Sequence, residues 1–188
     1  AAHFAVGCHV DLAGNDRYNQ GSTTGKNQYQ GHARDGSIGV FIDGGGDDRY
    51  LFRNMCGGSG NLCSVALFWD RGGDDVYEFS GDDSVGSIPP FGTATADPPQ
   101  RGPRDELPTI GIFLDTGGGK DAYPAGAPAK DGASWKDRRG PHSFGFGLDD
   151  DAGAQVIQHE SLVRFGQAEF PRDARVLDAG ERRRARAA

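Results

Sequence analysis

Between residues 4 and 153, apolar and small residues alternate in five short runs, and each run stops at an aspartate. The stretches "FAVGCHVDLAGNDRY" (4–18), "GSIGVFIDGGGDDRY" (36–50), "SVALFWDRGGDDVY" (64–77) and "TIGIFLDTGGGKDAY" (109–123) share one pattern. Apolar and other positions alternate up to Asp, a Gly-rich turn follows, and a second Asp precedes a Tyr by two positions. A fifth copy, "SFGFGLDDDAG" (143–153), keeps the strand and loses the tyrosine. A period of two predicts a β-strand in each run, and self-similarity along the chain predicts that the copies stack. The aspartates that end the runs, at 11, 43, 70, 115 and 149, are separated by 32, 27, 45 and 34 residues.

Alternation divides each strand into two faces. Val6, Cys8, Val10, Ile38, Val40, Ile42, Val65, Leu67, Trp69, Ile110, Ile112, Leu114, Phe144, Phe146 and Leu148 form the face expected to be the core. The opposite face carries a small residue, then usually an aromatic (Phe41, Phe68, Phe113), then always an aspartate. His9 takes the aromatic position in the first copy and is expected to join that column. Left bare, these aromatics would mark a partner surface; covered by the connecting segments, they would make a second core. Tyr18, Tyr50, Tyr77 and Tyr123 all open the second short strand after a turn.

The expected fold is all-β, a repetitive β-solenoid of the β-helix or β-roll kind, with Gly/Asp turns along one edge. Residues 1–153 would form the five-copy repeat domain, with a proline-rich loop insertion at 80–108. Residues 154–188 would form a cap and a basic tail. Composition agrees with short strands and turns, because the 188 residues include 31 glycines and 10 prolines and only 36% are hydrophobic. A formal charge of -7 disfavours nucleic acid and favours cations. No apolar run is long enough for a transmembrane segment, and no signal-peptide pattern opens the chain, which reads as a mature form or a fragment. The three cysteines leave two expectations open: a loop-closing Cys56–Cys63 disulfide in an exported protein, or free thiols.

Stacked strands lie about 4.8 Å apart. Like charges at that spacing repel by about 1 kcal/mol in water and by more in a drier setting. Either glycine amides of the turns or a bound cation must offset this, and the residues alone leave both open. "DGGGDDRYL" and "DRGGDDVYE" resemble in part the nonapeptide of RTX-type calcium-binding proteins, although their spacing is about thirty residues rather than nine. That resemblance implies Ca2+ and, as ligands, Asp11, Asp16, Asp43, Asp48, Asp70, Asp75, Asp115 and Asp121. As a whole, residues 4–153 resemble uncharacterised bacterial repeat proteins with a D-x-G-G-D-D-x-Y unit, which implies an exported protein and no particular activity.

The function expected is a non-enzymatic structural or binding module, an accessory subunit with calcium-stabilised turns and a protein or extracellular polysaccharide as partner. No residue is assigned a catalytic role. The rival is a carbohydrate-active enzyme on the same scaffold. It needs an asymmetric group of carboxylates or histidines, for which Asp97, Asp105, Glu106 and His142 are the candidates. The Asp47–Asp48 and Asp74–Asp75 doublets recur, and repetition argues against a unique active site.

Overall fold

The computed structural model describes residues 1–19, 30–79, 88–96 and 102–151. In chain order the strands are β1 (Val6–Val10), β2 (Arg17–Tyr18), β3 (Ala33–Arg34), β4 (Ile38–Ile42), β5 (Arg49–Phe52) and β6 (Gly60–Asn61). They continue with β7 (Val65–Asp70), β8 (Val76–Phe79), β9 (Ala94–Thr95), β10 (Thr109–Thr116), β11 (Ser134–Asp137) and β12 (Ser143–Asp150). One short helix, α1 (Pro103–Glu106), precedes β10, and no described helix is long and apolar enough to cross a membrane.

These strands form three separate sheets. The largest has the order β1-β4-β7-β10-β12-β11; the others are β2-β5-β8 and β3-β6-β9. The expectation of a β-solenoid built from five equal copies is corrected by this arrangement. The sheets contain six, three and three strands, and the largest is mixed, because β11 runs antiparallel on β12 while the other pairs are parallel. The unequal spacing of the copies is the physical reason. The longer connections have room for extra elements, among them the antiparallel β11, which lies on the outer side of β12.

Register follows the sequence pattern residue for residue. Gly39 pairs with Gly7 and Ala66, Phe41 with His9 and Phe68, and Asp115 with Asp70 and Asp149. The aromatic face is covered, as one of the two expectations for it had it, and it is buried more deeply than the face expected to be the core. Phe41, Asp43, Ala66, Phe68, Asp70, Phe113 and Asp115 are buried, whereas Val6, Val10, Ile38 and Val65 are exposed and Val40, Leu67, Trp69 and Ile112 half-buried. The other two sheets explain the difference. β2, β5 and β8 bring Tyr18, Tyr50 and Tyr77 against the aromatics of the large sheet, and the segments around β3, β6 and β9 press against its small residues. A Cβ on Gly39 would lie 1.9 Å from the His32 carbonyl oxygen, and one on Gly111 would lie 2.2 Å from that of Thr93.

Two aromatic columns run into the interior, the first from exposed His9. His9, Phe41, Phe68 and Phe113 stack with centroids 4.8, 5.2 and 5.0 Å apart, and Tyr18, Tyr50, Tyr77 and Tyr123 stack at 5.0, 5.1 and 4.8 Å. Members of one column meet the other edge-on, as Phe68 meets Tyr50, an arrangement that matches ring quadrupoles. The 80–108 insertion contributes to this core. It supplies β9, paired with β6, and buried Phe91, which packs edge-on against Phe52 and Phe113. All three cysteines are free thiols, so the Cys56–Cys63 disulfide is not formed. Cys56 is buried and accepts a hydrogen bond from the Arg53 N–H, and burial pushes its thiol up to about 12. The region expected to form a cap and tail, 154–188, lies outside the described residues.

Candidate metal centre

The turns place three rows of polar side chains side by side. The first is made of the aspartates that end the strands. Their Oδ1 atoms accept N–H groups of their own turns: Leu12 to Asp11, Gly45 to Asp43 and Gly72 to Asp70. These are the Asx-type bonds that offset strand-end charge. Asp149 instead takes the N–H of Gly132. The tightness of the turns demands glycine where copies touch. Gly73 has φ +147°, and a Cβ there would lie 1.8 Å from the Gly46 carbonyl oxygen.

The Oδ2 atoms of this row meet the tyrosine column. Tyr18 Oη lies 3.2 Å from Asp11 and 2.7 Å from Asp43; Tyr50 lies 3.0 Å from Asp43 and 3.3 Å from Asp48 Oδ2 of the next row. Tyr77 lies 3.3 Å from Asp70 and 2.7 Å from Asp115, and Tyr123 lies 3.1 Å from Asp115 and 2.5 Å from Asp149. Carboxyls and phenols therefore alternate along the stack. A phenol has one hydrogen to donate. It satisfies one of its two carboxylates, and the other contact requires a hydrogen on the carboxyl or a cation beside it. Burial in this acidic setting raises the phenols of Tyr18, Tyr50, Tyr77 and Tyr123 far above their ordinary range, so they remain protonated donors.

The second row contains Asp16, Asp48, Asp75 and Asp121, joined copy to copy through the backbone. Asp48 Oδ1 accepts the Asp16 N–H at 2.6 Å, Asp75 Oδ1 that of Asp48 at 2.7 Å, and Asp121 Oδ1 that of Asp75 at 2.7 Å. Asp131 ends the row by accepting the Asp121 N–H at 3.1 Å. The third row runs the other way along the surface: Asp47 donates its N–H to Asn15 Oδ1, Asp74 to Asp47 and Lys120 to Asp74.

Between the first and second rows, carboxylate oxygens converge in three places: Asp48, Asp70 and Asp75; Asp75, Asp115 and Asp121; and Asp121, Asp131 and Asp149. In each group the oxygens lie within 4.8 Å of one another. Asp48, Asp70 and Asp75 are fully buried, Asp115 and Asp149 nearly so, Asp121 is half-buried and Asp131 exposed. Among the described residues, Arg49 pairs with Glu78, Arg104 with Asp35 and Arg139 with Asp137; none of these cations reaches the three groups. Burial, reinforced by neighbouring carboxylates, therefore pushes the acids up: Asp48 to about 6, Asp121 to about 7, Asp115 to about 9 and Asp75 to about 10. Asp70 and Asp149 rise for the same reason. Asp75 stands out among them, because it is fully buried and its Oδ2 has no hydrogen-bond partner.

Of the ligands expected from the sequence, Asp48, Asp70, Asp75, Asp115 and Asp121 come together in these groups. Asp11, Asp16 and Asp43 do not, among the described residues; they serve the tyrosine and backbone ladders instead. Asp131 and Asp149 join without having been expected as ligands. Asp149 carried a signal in its strand-end position, whereas Asp131 lies in a connecting segment outside the repeat. Of the residues considered for an enzyme, Glu106 and His142 are exposed, and Asp97 and the Asp105 side chain lie outside the described residues.

Buried carboxylates without basic partners can hold a metal ion, and the donor set is all oxygen. Comparison of the chain with protein-family models, curated proteins and solved structures returned no match.

Proposed function

We propose that the chain is a non-enzymatic, exported structural or binding module whose acidic interior is stabilised by calcium, acting as an accessory subunit of a larger assembly. The observation that carries this is Asp75, a fully buried aspartate with one unpartnered oxygen among carboxylates that, among the described residues, pair with no lysine or arginine. An isolated buried carboxylate is costly unless it is paired, coordinated or protonated. A hard, oxygen-preferring cation removes that cost. The absence of histidine and cysteine from the three groups favours calcium over softer transition metals.

The repeated arrangement supports a structural role, since the carboxylates other than Asp131 have counterparts in neighbouring copies and hydrogen-bond into ladders. Exposed Val6 and Val10 on β1, with Phe4 and Leu12 at its ends, offer an apolar surface for a protein partner. Thermal unfolding in calcium and in chelator tests the proposal. Calcium at a hundredfold excess over its dissociation constant contributes about 2.7 kcal/mol, so the melting temperature is expected to rise by several degrees in calcium and to fall in chelator. A melting temperature indifferent to both would remove calcium from the account.

A further inference from the structure

The three carboxylate groups are not independent. Asp75 belongs to the first and the second, and Asp121 to the second and the third. Resting on the cation-binding proposal above, we propose that the groups form a single file of three divalent-cation positions, in which Asp75 and Asp121 each bridge two neighbouring ions.

Charge, donor atoms and exposure support the file. Seven carboxylates line it: Asp48, Asp70, Asp75, Asp115, Asp121, Asp131 and Asp149. Three divalent ions leave a single excess negative charge, so the row is close to neutral when filled, and no other described cation does this. Asp75 has the donor atoms a bridge needs. Its Oδ1 already accepts the Asp48 N–H, while its buried Oδ2 has no partner and can take a metal without breaking a bond of the fold. Asp121 likewise holds the Asp75 N–H through Oδ1. Exposure falls from one end to the other. Asp131 is exposed and Asp121 half-buried, whereas Asp48, Asp70 and Asp75 are fully buried, so ions enter past Asp131 and Asp149 and the Asp48 end is the closed one.

Calcium equilibrium dialysis on the full chain tests the file, with tyrosine-sensitised terbium emission as a second readout, since Tyr77 and Tyr123 touch the lining carboxylates. The unsubstituted protein is expected to bind three calcium ions. Asp75→Asn keeps the Oδ1 acceptor and is expected to bind one, because a single substitution empties two positions. Asp131→Asn is expected to bind two, and Asp74→Asn, on the surface row, three. Asp121→Asn serves as the second bridging variant should Asp75→Asn fail to fold, and is also expected to bind one. If the unsubstituted protein binds calcium but the bridging variants lose one ion or none, the file is wrong and separate sites remain. If the unsubstituted protein binds none, the cation proposal falls with it.

Discussion

Asp74 and Asp75 are neighbours in the chain and have opposite environments. Each uses Oδ1 to accept a backbone N–H from an adjacent copy, Asp74 from Lys120 and Asp75 from Asp48. Asp74 is exposed, whereas Asp75 is buried and its second oxygen has no partner. Asp47 and Asp48 repeat the contrast one copy earlier, one exposed and one buried. The same hydrogen-bonded ladder is complete at the surface and leaves an unpartnered oxygen in the interior, because only solvent gives the second oxygen a partner at no further cost.

The largest expected effect concerns the strands. Phe68→Ala is expected to cost about 3–5 kcal/mol, measured by denaturant unfolding, because the ring is fully buried between Phe41 and Phe113. Leu67→Ala, on the half-buried face, is expected to cost clearly less. A larger loss at Leu67 would overturn the assignment of inside and outside. Next, Asp75→Ala in calcium is expected to cost about 1–3 kcal/mol through the orphaned Asp48 N–H alone, with loss of the cation added. Asp74→Ala is expected to stay within about 0.5 kcal/mol as an exposed position. In chelator the gap between the two should narrow.

A pH series in chelator sharpens the contrast between the rows. The carboxyls of Asp75 and Asp115 titrate higher in the folded chain, near 10 and 9, than in the unfolded one. The folded state therefore holds these protons more tightly, and the stabilisation is complete below the unfolded value of about 4. It is lost as pH rises through the folded values. Metal-free protein should thus melt at progressively lower temperature between pH 4 and pH 9, and calcium should flatten the slope. A melting temperature that rises over that range would contradict the burial of these two acids. Among fully buried side chains the smallest expected effect is that of Tyr77→Phe, about 1 kcal/mol in metal-free protein, since the ring stack is kept and one donated hydrogen is lost. Tyr18→Phe should cost less, because Tyr18 is only half-buried.

Much of the register was legible in the letters. The alignment that puts Asp70 beside Asp115 and Tyr50 beside Tyr77 needs only the repeated pattern, and the same pattern placed His9 in the Phe41 column. The orientation of the strands was not. By hydrophobicity Val40, Leu67 and Ile112 belong inside and Asp43, Asp70 and Asp115 outside; instead the aspartates are buried and the aliphatic residues only half-buried, because turn amides and tyrosine hydroxyls satisfy the carboxyls within the interior. Phe91 was hidden for another reason. Its segment is rich in proline and reads as a loop, although the backbone beside it pairs as β9 and the ring fills the core.

The amino-acid sequence by itself determined which residues lie beside which along the stack, because a strand's period of two and a repeated turn leave one register that matches like with like. Only the tertiary structure decided which face turned inward, how the copies divided among three sheets, and that Asp131 joined Asp121 and Asp149. Those outcomes depend on distant segments closing over the large sheet, and the contacts that drive them have no local period to announce them.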